Sequence, residues 1–347
     1  MIIVTGTKRS GTSMWMQILR DAGLQVVGEP FSKDWEQTIR DANPHGFYES
    51  PLRRGIYHAT NPEPGTGRYL RAEDTTHTAV KVFVPGVVRT ERAYLHRVIA
   101  SVRNWREYGE SLDRLTSMET ENRQRLGKQK GPPLPRLTPW LEWWRENHML
   151  MRDVAIRQYP VTLVAYDTVL RQPERTLTTI FRWLGRGDVA GGMRSVKPET
   201  RNYQDVPPPP DVPAAMVQVF DEYCARVLKG QAIDGPFIET LNRVNAELEP
   251  RVEQEARTIR MAAARRRYEA ARERARASGV AAPDIVAAAR RFAGPEEADG
   301  SVEGYAPPDA SEGTAAHDAA LRDWEARDEE PALDESGHSV DTDDLDP

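Results

Sequence analysis

The sequence predicts an α/β fold, a parallel sheet with helices on both faces, followed by a helical extension and an acidic tail. Three observations predict it. An apolar run at residues 2–5 stops at Gly6 and gives way at once to helical spacing. Further apolar runs at 78–84, 97–102 and 161–165 alternate with helix-capable stretches, and such alternation requires crossover connections and therefore a parallel sheet. Hydrophobic residues, 39% of the chain, thin out toward the C-terminus, so the core must come mostly from the first two-thirds.

Taken in order, Ile-Ile-Val-Thr at 2–5 is continuous and apolar, as a strand buried on both faces should be. The next helix, about 13–22, carries Met14, Ile18 and Leu19 on one face and stops at Gly23. Trp140, Trp143, Trp144 and Met151 recur at helical spacing and read as a core face. Residues 116–136 are polar and basic and close on Pro132, Pro133 and Pro135, the pattern of a substrate-covering lid or a disordered loop. The run of prolines at 207–210 must be extended and ends the sheet-building part. Helices follow at about 212–228 and 237–248. A stretch dense in Ala, Arg and Glu at 251–278 can form a long helix without a core face. The expected organisation is an α/β core over 1–206, helices completing or flanking it over 207–248, a helical extension over 249–294, and a disordered acidic tail over 295–347.

Charge divides along the same line. Residues 296–347 hold 18 Asp plus Glu against two Arg, which leaves about +10 on the rest of a chain whose formal charge is −6. A basic body suits an anionic ligand. The single cysteine, Cys224, rules out an intrachain disulfide, points to a reducing compartment and reads as a small core residue beside Phe220 and Val227. The N-terminus lacks a leader pattern, and no run approaches the roughly 20 apolar residues of a membrane span. A soluble, cytoplasmic protein with no nucleic-acid partner is expected.

Between the first strand and helix stands Gly6-Thr7-Lys8-Arg9-Ser10-Gly11-Thr12-Ser13. Successive backbone N–H groups in such a loop converge with the helix N-terminus on one point, and the glycines let the backbone approach, making a cradle for phosphate or a related oxyanion. The nucleoside-triphosphatase form, G-x-x-x-x-G-K-[ST], uses its Lys on the terminal phosphates and its hydroxyl on Mg²⁺. Here both glycines and Ser13 fit, but Thr12 holds the Lys position, and the cations Lys8 and Arg9 lie within the loop instead. With cations and amides in the place of a metal, no metal is expected.

The run Lys8-Arg9-Ser10-Gly11-Thr12-Ser13 resembles the 5′-phosphosulfate loop of sulfotransferases that use 3′-phosphoadenosine-5′-phosphosulfate (PAPS), commonly Pro-[Lys/Arg]-Ser-Gly-Thr-[Thr/Ser]. Lys8 departs from the usual Pro. Residues 98–103, Val-Ile-Ala-Ser-Val-Arg, resemble the family's 3′-phosphate motif, a strand ending in Arg with a Ser eight residues on; Arg103 and Ser111 have that spacing. The segment 161–167 with 181–185 is similar to the family's strand ending in Tyr-Glu-Asp-Leu and a later Phe-Leu-Gly. Asn43-Pro44-His45-Gly46-Phe47-Tyr48-Glu49 resembles a segment of bacterial members. The resemblance covers roughly 1–205 and implies a P-loop-type fold and transfer of a sulfuryl group from PAPS to a hydroxyl or amine, leaving adenosine 3′,5′-bisphosphate.

It further implies that Arg9 meets the phosphosulfate near its bridging oxygen, that Thr12 and Ser13 hold the 5′-phosphate with Lys8, Ser10 and Gly11 around it, and that Arg103 and Ser111 take the 3′-phosphate. Tyr166 would lie beside the adenine. Many members place a His two residues after a Lys on the strand matching 78–84; here Lys81 is followed by Phe83, so the base must come from elsewhere. Glu49 is the first candidate, then His45, then His77. The acceptor, a small molecule, glycan or peptide, would meet loops that include Trp35, the Glu49 segment and 116–136. Two other readings stay open: a P-loop kinase or nucleotide hydrolase with Asp167 as its metal-binding acid, and a non-catalytic nucleotide-binding scaffold.

Overall fold

The computed structural model describes residues 1–31, 40, 43–63, 66–127, 133–198 and 205–277. Trp35, the centre of the 116–136 segment, the chain beyond Ala277 and the acidic tail lie outside them. The chain divides into two compact units, Met1–Ile259 and Arg260–Pro347.

Five strands, β1 (Ile2–Thr5), β2 (Gln25–Val27), β3 (Thr78–Lys81), β4 (Arg97–Val102) and β5 (Val161–Ala165), form one sheet in the order β2-β3-β1-β4-β5. Every pairing is parallel, with Val4 of β1 level with Lys81 on one side and Ile99 on the other. The short β2 escaped the sequence reading because its apolar run is only Val26 and Val27. The chain leaves β1 toward β2 and β3 on one flank, then returns past β1 to β4 and β5 on the other. The carboxyl ends of β1 and β4 therefore flank a switch in strand order, where open α/β sheets leave a crevice.

Side chains alternate between two cores. Ile3, Val80, Val98 and Ala100 join one cluster; Ile2, Val4, Ala79 and Ile99 join the other. The second cluster is covered by α1 (Thr12–Asp21), α5 (Tyr166–Arg171) and α6 (Pro173–Leu184), whose Trp15, Val169 and Leu177 are fully buried. Between α6 and the next long helix lies the short α7 (Val189–Met193), as α2 (Val84–Arg89) lies after β3. The first cluster is covered by α2, α3 (Trp105–Arg125), α4 (Pro139–Arg157), α8 (Ala214–Lys229) and the N-terminal half of α9 (Gly235–Ala277). Phe220 of α8 is fully buried among Trp105, Trp143 and Trp144, with ring centroids 5.3, 5.6 and 4.8 Å away. The tryptophan stripe of α4 is thus core, and helices beyond the prolines contribute to it. Cys224 is half-buried on α8, and burial pushes its thiol up to about 12.

Three boundaries differ from expectation. The strand expected over 78–84 ends at Lys81, because Pro85 opens α2. Residues 116–125, expected to be irregular, continue α3; the Glu119–Arg123 ion pair at 3.0 Å supports this polar stretch. Residues 235–277 form one helix that runs through Pro250. Tertiary contacts on both sides override the proline: Leu248 is buried in the core, Arg251 pairs with Asp211 at 2.8 Å, and Glu255 accepts from the Thr138 amide at 2.8 Å. Of the Arg260–Pro347 unit, residues 260–277 are described; they are the end of α9, with an Arg265–Glu269 pair at 2.9 Å. No helix among the described residues is long and apolar enough to cross a membrane.

Candidate functional site

A cleft of about 620 Å³ opens at the carboxyl edge of the sheet. Its floor is the loop between β1 and α1. Gly6, Arg9 and Gly11 all have positive φ, at 141°, 65° and 96°. Two close approaches explain the glycines: a Cβ on Gly6 would stand 2.3 Å from the Ser101 carbonyl oxygen, and one on Gly11 would stand 2.6 Å from the Tyr166 ring. Ser101 Oγ donates to the Ser10 carbonyl at 2.6 Å and fastens the loop to β4, a contact for which the sequence carried no signal.

The loop and β4 then meet at one atom. Arg9 Nε donates to Ser111 Oγ at 3.2 Å, and Arg103 Nη1 donates to the same oxygen at 3.1 Å and to the Arg9 carbonyl at 3.1 Å. Arg103 is buried at the end of β4; its Nε stands 3.6 Å from Glu107, and its guanidinium lies 5.1 Å over the Tyr166 ring. Ser111 reaches this point because two turns of α3 bring it back over the strand end.

Lys8, Arg9, Gly11, Thr12, Ser13, Arg103, Ser111 and Tyr166 all line the cleft. Ser10 does not. Its side chain is fully buried behind the loop, where its Oγ has no hydrogen-bond partner, and its amide donates to Thr7 O at 3.1 Å.

On the β3 side, the segment ending at Glu49 is bound to α1. Gln17 Nε2 donates to Gly46 O at 3.1 Å, and Ser13 Oγ donates to Phe47 O at 3.2 Å. Lys81 Nζ donates to Phe47 O at 2.7 Å and to Glu49 Oε1 at 2.8 Å. Burial lowers the Lys81 pKa, and the Glu49 carboxylate opposes that fall. Arg53, which sequence reasoning missed, stands 3.6 Å from the other carboxylate oxygen. Glu49 and His45 both line the cleft; His45 is exposed on the turn before Gly46. His77 is at the opposite edge of the sheet, just before β3, with Nε2 at 3.2 Å from Arg186, which removes it from the candidates for the base. Part of the expected lid reaches the cleft, through Thr116, Glu119 and Arg136.

The geometry brings together a glycine-bearing strand-to-helix loop, two arginines on a shared hydroxyl, and a carboxylate between two cations. No protein-family model matches the chain, and no curated protein matches it.

Proposed function

We propose that the protein is a P-loop-type, PAPS-dependent sulfotransferase that moves a sulfuryl group to a hydroxyl or amine acceptor. The observation that carries this reading is the meeting of Arg9 and Arg103 on Ser111 Oγ. Residues of two motifs about a hundred positions apart in the chain converge on one atom, as a single bisphosphate ligand requires.

In this reading the 5′-phosphosulfate lies on the loop, facing its amides and the N-terminus of α1. The 3′-phosphate lies against Arg103 and Ser111, and the adenine beside Tyr166. The acceptor oxygen or nitrogen attacks sulfur in line. A new bond forms to sulfur while the bond from sulfur to the bridging oxygen breaks, and adenosine 3′,5′-bisphosphate leaves. Arg9 and the loop amides stabilise the charge that grows on the leaving oxygen. The acceptor's proton passes to a base on the cleft wall, Glu49 first and His45 second. Lys81 and Arg53 hold the Glu49 carboxylate in place. The kinase reading is weakened by Asp167, which is on the first turn of α5, 3.6 Å from Arg171, and is not among the cleft residues.

Thermal shift separates the readings. Adenosine 3′,5′-bisphosphate without metal should stabilise the protein more than ATP with Mg²⁺, and the protein should transfer label from PAPS to an acceptor. Greater stabilisation by ATP with Mg²⁺ overturns the donor assignment.

A further inference from the structure

The arginine at the end of β4 is nearly withdrawn from water, and the edges of its guanidinium face different partners. Nη1 is bonded to Ser111 Oγ and to the Arg9 carbonyl. The Nε edge faces the Glu107 carboxylate at 3.6 Å, in an ion pair whose side chains are 7% and 5% exposed. Tyr166 lies against one face of the plane. Nη2 has no hydrogen bond to a described residue, and Arg103 lines the cleft, so that nitrogen is the edge left for an anion.

Glu107 stands where it can fix this orientation. It lies four residues after Arg103, in the first turn of α3, and Asn104 starts that turn by accepting from the Arg106 amide at 2.9 Å. The strand end is held too, because the Trp143 indole donates to the Arg103 carbonyl at 3.0 Å. Glu107 itself is not among the residues lining the cleft, so its influence on a ligand passes through Arg103. There is also a charge to balance. Arg9 and Arg103 bring two cations to one oxygen, and a carboxylate beside them offsets their repulsion in a place with little water to screen it. Ser111 Oγ accepts from both arginines and keeps its own proton to donate.

We propose that Glu107 is a positioning residue for the 3′-phosphate. It holds Arg103 by the Nε edge, so that Nη2 and the Ser111 proton are left to the phosphate. The inference rests on the reading of Arg103 and Ser111 as the 3′-phosphate site.

Isothermal titration of the full chain with adenosine 3′,5′-bisphosphate and with adenosine 5′-phosphate isolates the 3′-phosphate, the one group by which they differ. The native protein should prefer the bisphosphate. Glu107→Gln should lower bisphosphate affinity by about tenfold or more, while affinity for adenosine 5′-phosphate changes by less than about twofold. Glu107→Asp, which restores the charge at shorter reach, should recover part of the loss. In an Arg103→Ala chain, Glu107→Gln should cause no further loss. The sign is decisive, because a carboxylate that did no positioning would only repel the phosphate, and its removal would tighten binding. Unchanged or tighter bisphosphate binding in Glu107→Gln, an equal loss for both nucleotides, or failure of both Glu107 variants to fold overturns the proposal. Equal or undetectable binding of the two nucleotides by the native protein overturns the 3′-phosphate reading itself, and the proposal falls with it.

Discussion

Lys81 and Glu49 form an ion pair of 2.8 Å at the wall of the cleft, with only 3% and 11% of their side chains exposed. The lysine is anchored by the Phe47 carbonyl as well, so the pair ties the end of β3 to the segment that brings Glu49 to the site. Breaking a buried pair strands the remaining charge, and Lys81→Met should cost about 3–5 kcal/mol of stability, near the lower end because Arg53 still faces Glu49. Urea unfolding measures this. A loss below about 1 kcal/mol would show the pair to be marginal.

Glu49→Gln tests the chemistry of the same pair. As general base, Glu49 should contribute about 10²–10⁴ in kcat, with bisphosphate affinity retained. Near-normal turnover removes Glu49 from the role and makes His45→Ala the next variant to assay. The substitution also has a pH signature. Burial holds the folded Lys81 pKa below 10.5, and Glu49 opposes that effect, so the Gln variant lowers it further. Between the folded value and 10.5 the unfolded chain binds more protons, and stability should rise with pH more steeply than in the native protein. Denaturation midpoints across alkaline pH provide the check.

Arg103→Ala should weaken binding of adenosine 3′,5′-bisphosphate by about 2–5 kcal/mol, the range for truncating one partner of a buried charge pair. Ser111→Ala should cost less. The two effects should not add, because both arginines use the same hydroxyl. Titration of the single and double variants reads the coupling; strict additivity would show that the three residues act separately.

Gly11→Ala introduces a Cβ 2.6 Å from the Tyr166 ring at φ 96°. The backbone strain alone is worth about 1–3 kcal/mol. Bisphosphate affinity should fall at least tenfold and stability should fall with it; measured as stability, where no adenine contact is at stake, Tyr166→Ala in the same chain should recover part of the loss, since the clash goes and the strain stays. Full recovery would show that φ at Gly11 carries no cost.

Phe220→Ala should destabilise the protein by about 3–5 kcal/mol, as for other buried aromatics. The residue lies beyond the run of prolines, so a cooperative shift of the whole transition would show that α8 folds with the sheet. A separate, earlier transition would contradict that.

Much of the sheet was legible because a parallel strand buried on both faces leaves a continuous apolar run. Ile2–Thr5, Arg97–Val102 and Val161–Ala165 are such runs. Gln25–Val27 is too short to stand out, and the helical half of 116–136 was hidden by its polarity, since α3 outruns its buried face after Leu112. In the site, the loop could be read because its glycines and cations are consecutive. Contacts made across the fold left no local trace: Ser101 on the Ser10 carbonyl and Tyr108 beside Glu142 each join elements far apart in sequence. Ser10 illustrates the reverse, a residue placed in the ligand shell by pattern whose side chain turns inward.

The indole of Trp143 donates to the backbone carbonyl of Arg103 at 3.0 Å, and the same indole lies edge-on to Tyr223 with ring centroids 5.7 Å apart. An anion that moved the Arg103 backbone would thereby disturb a chromophore. The chain carries its own optical gauge: quenching or a wavelength shift on ligand addition, lost in Trp143→Phe, would follow occupancy at the arginine without a label.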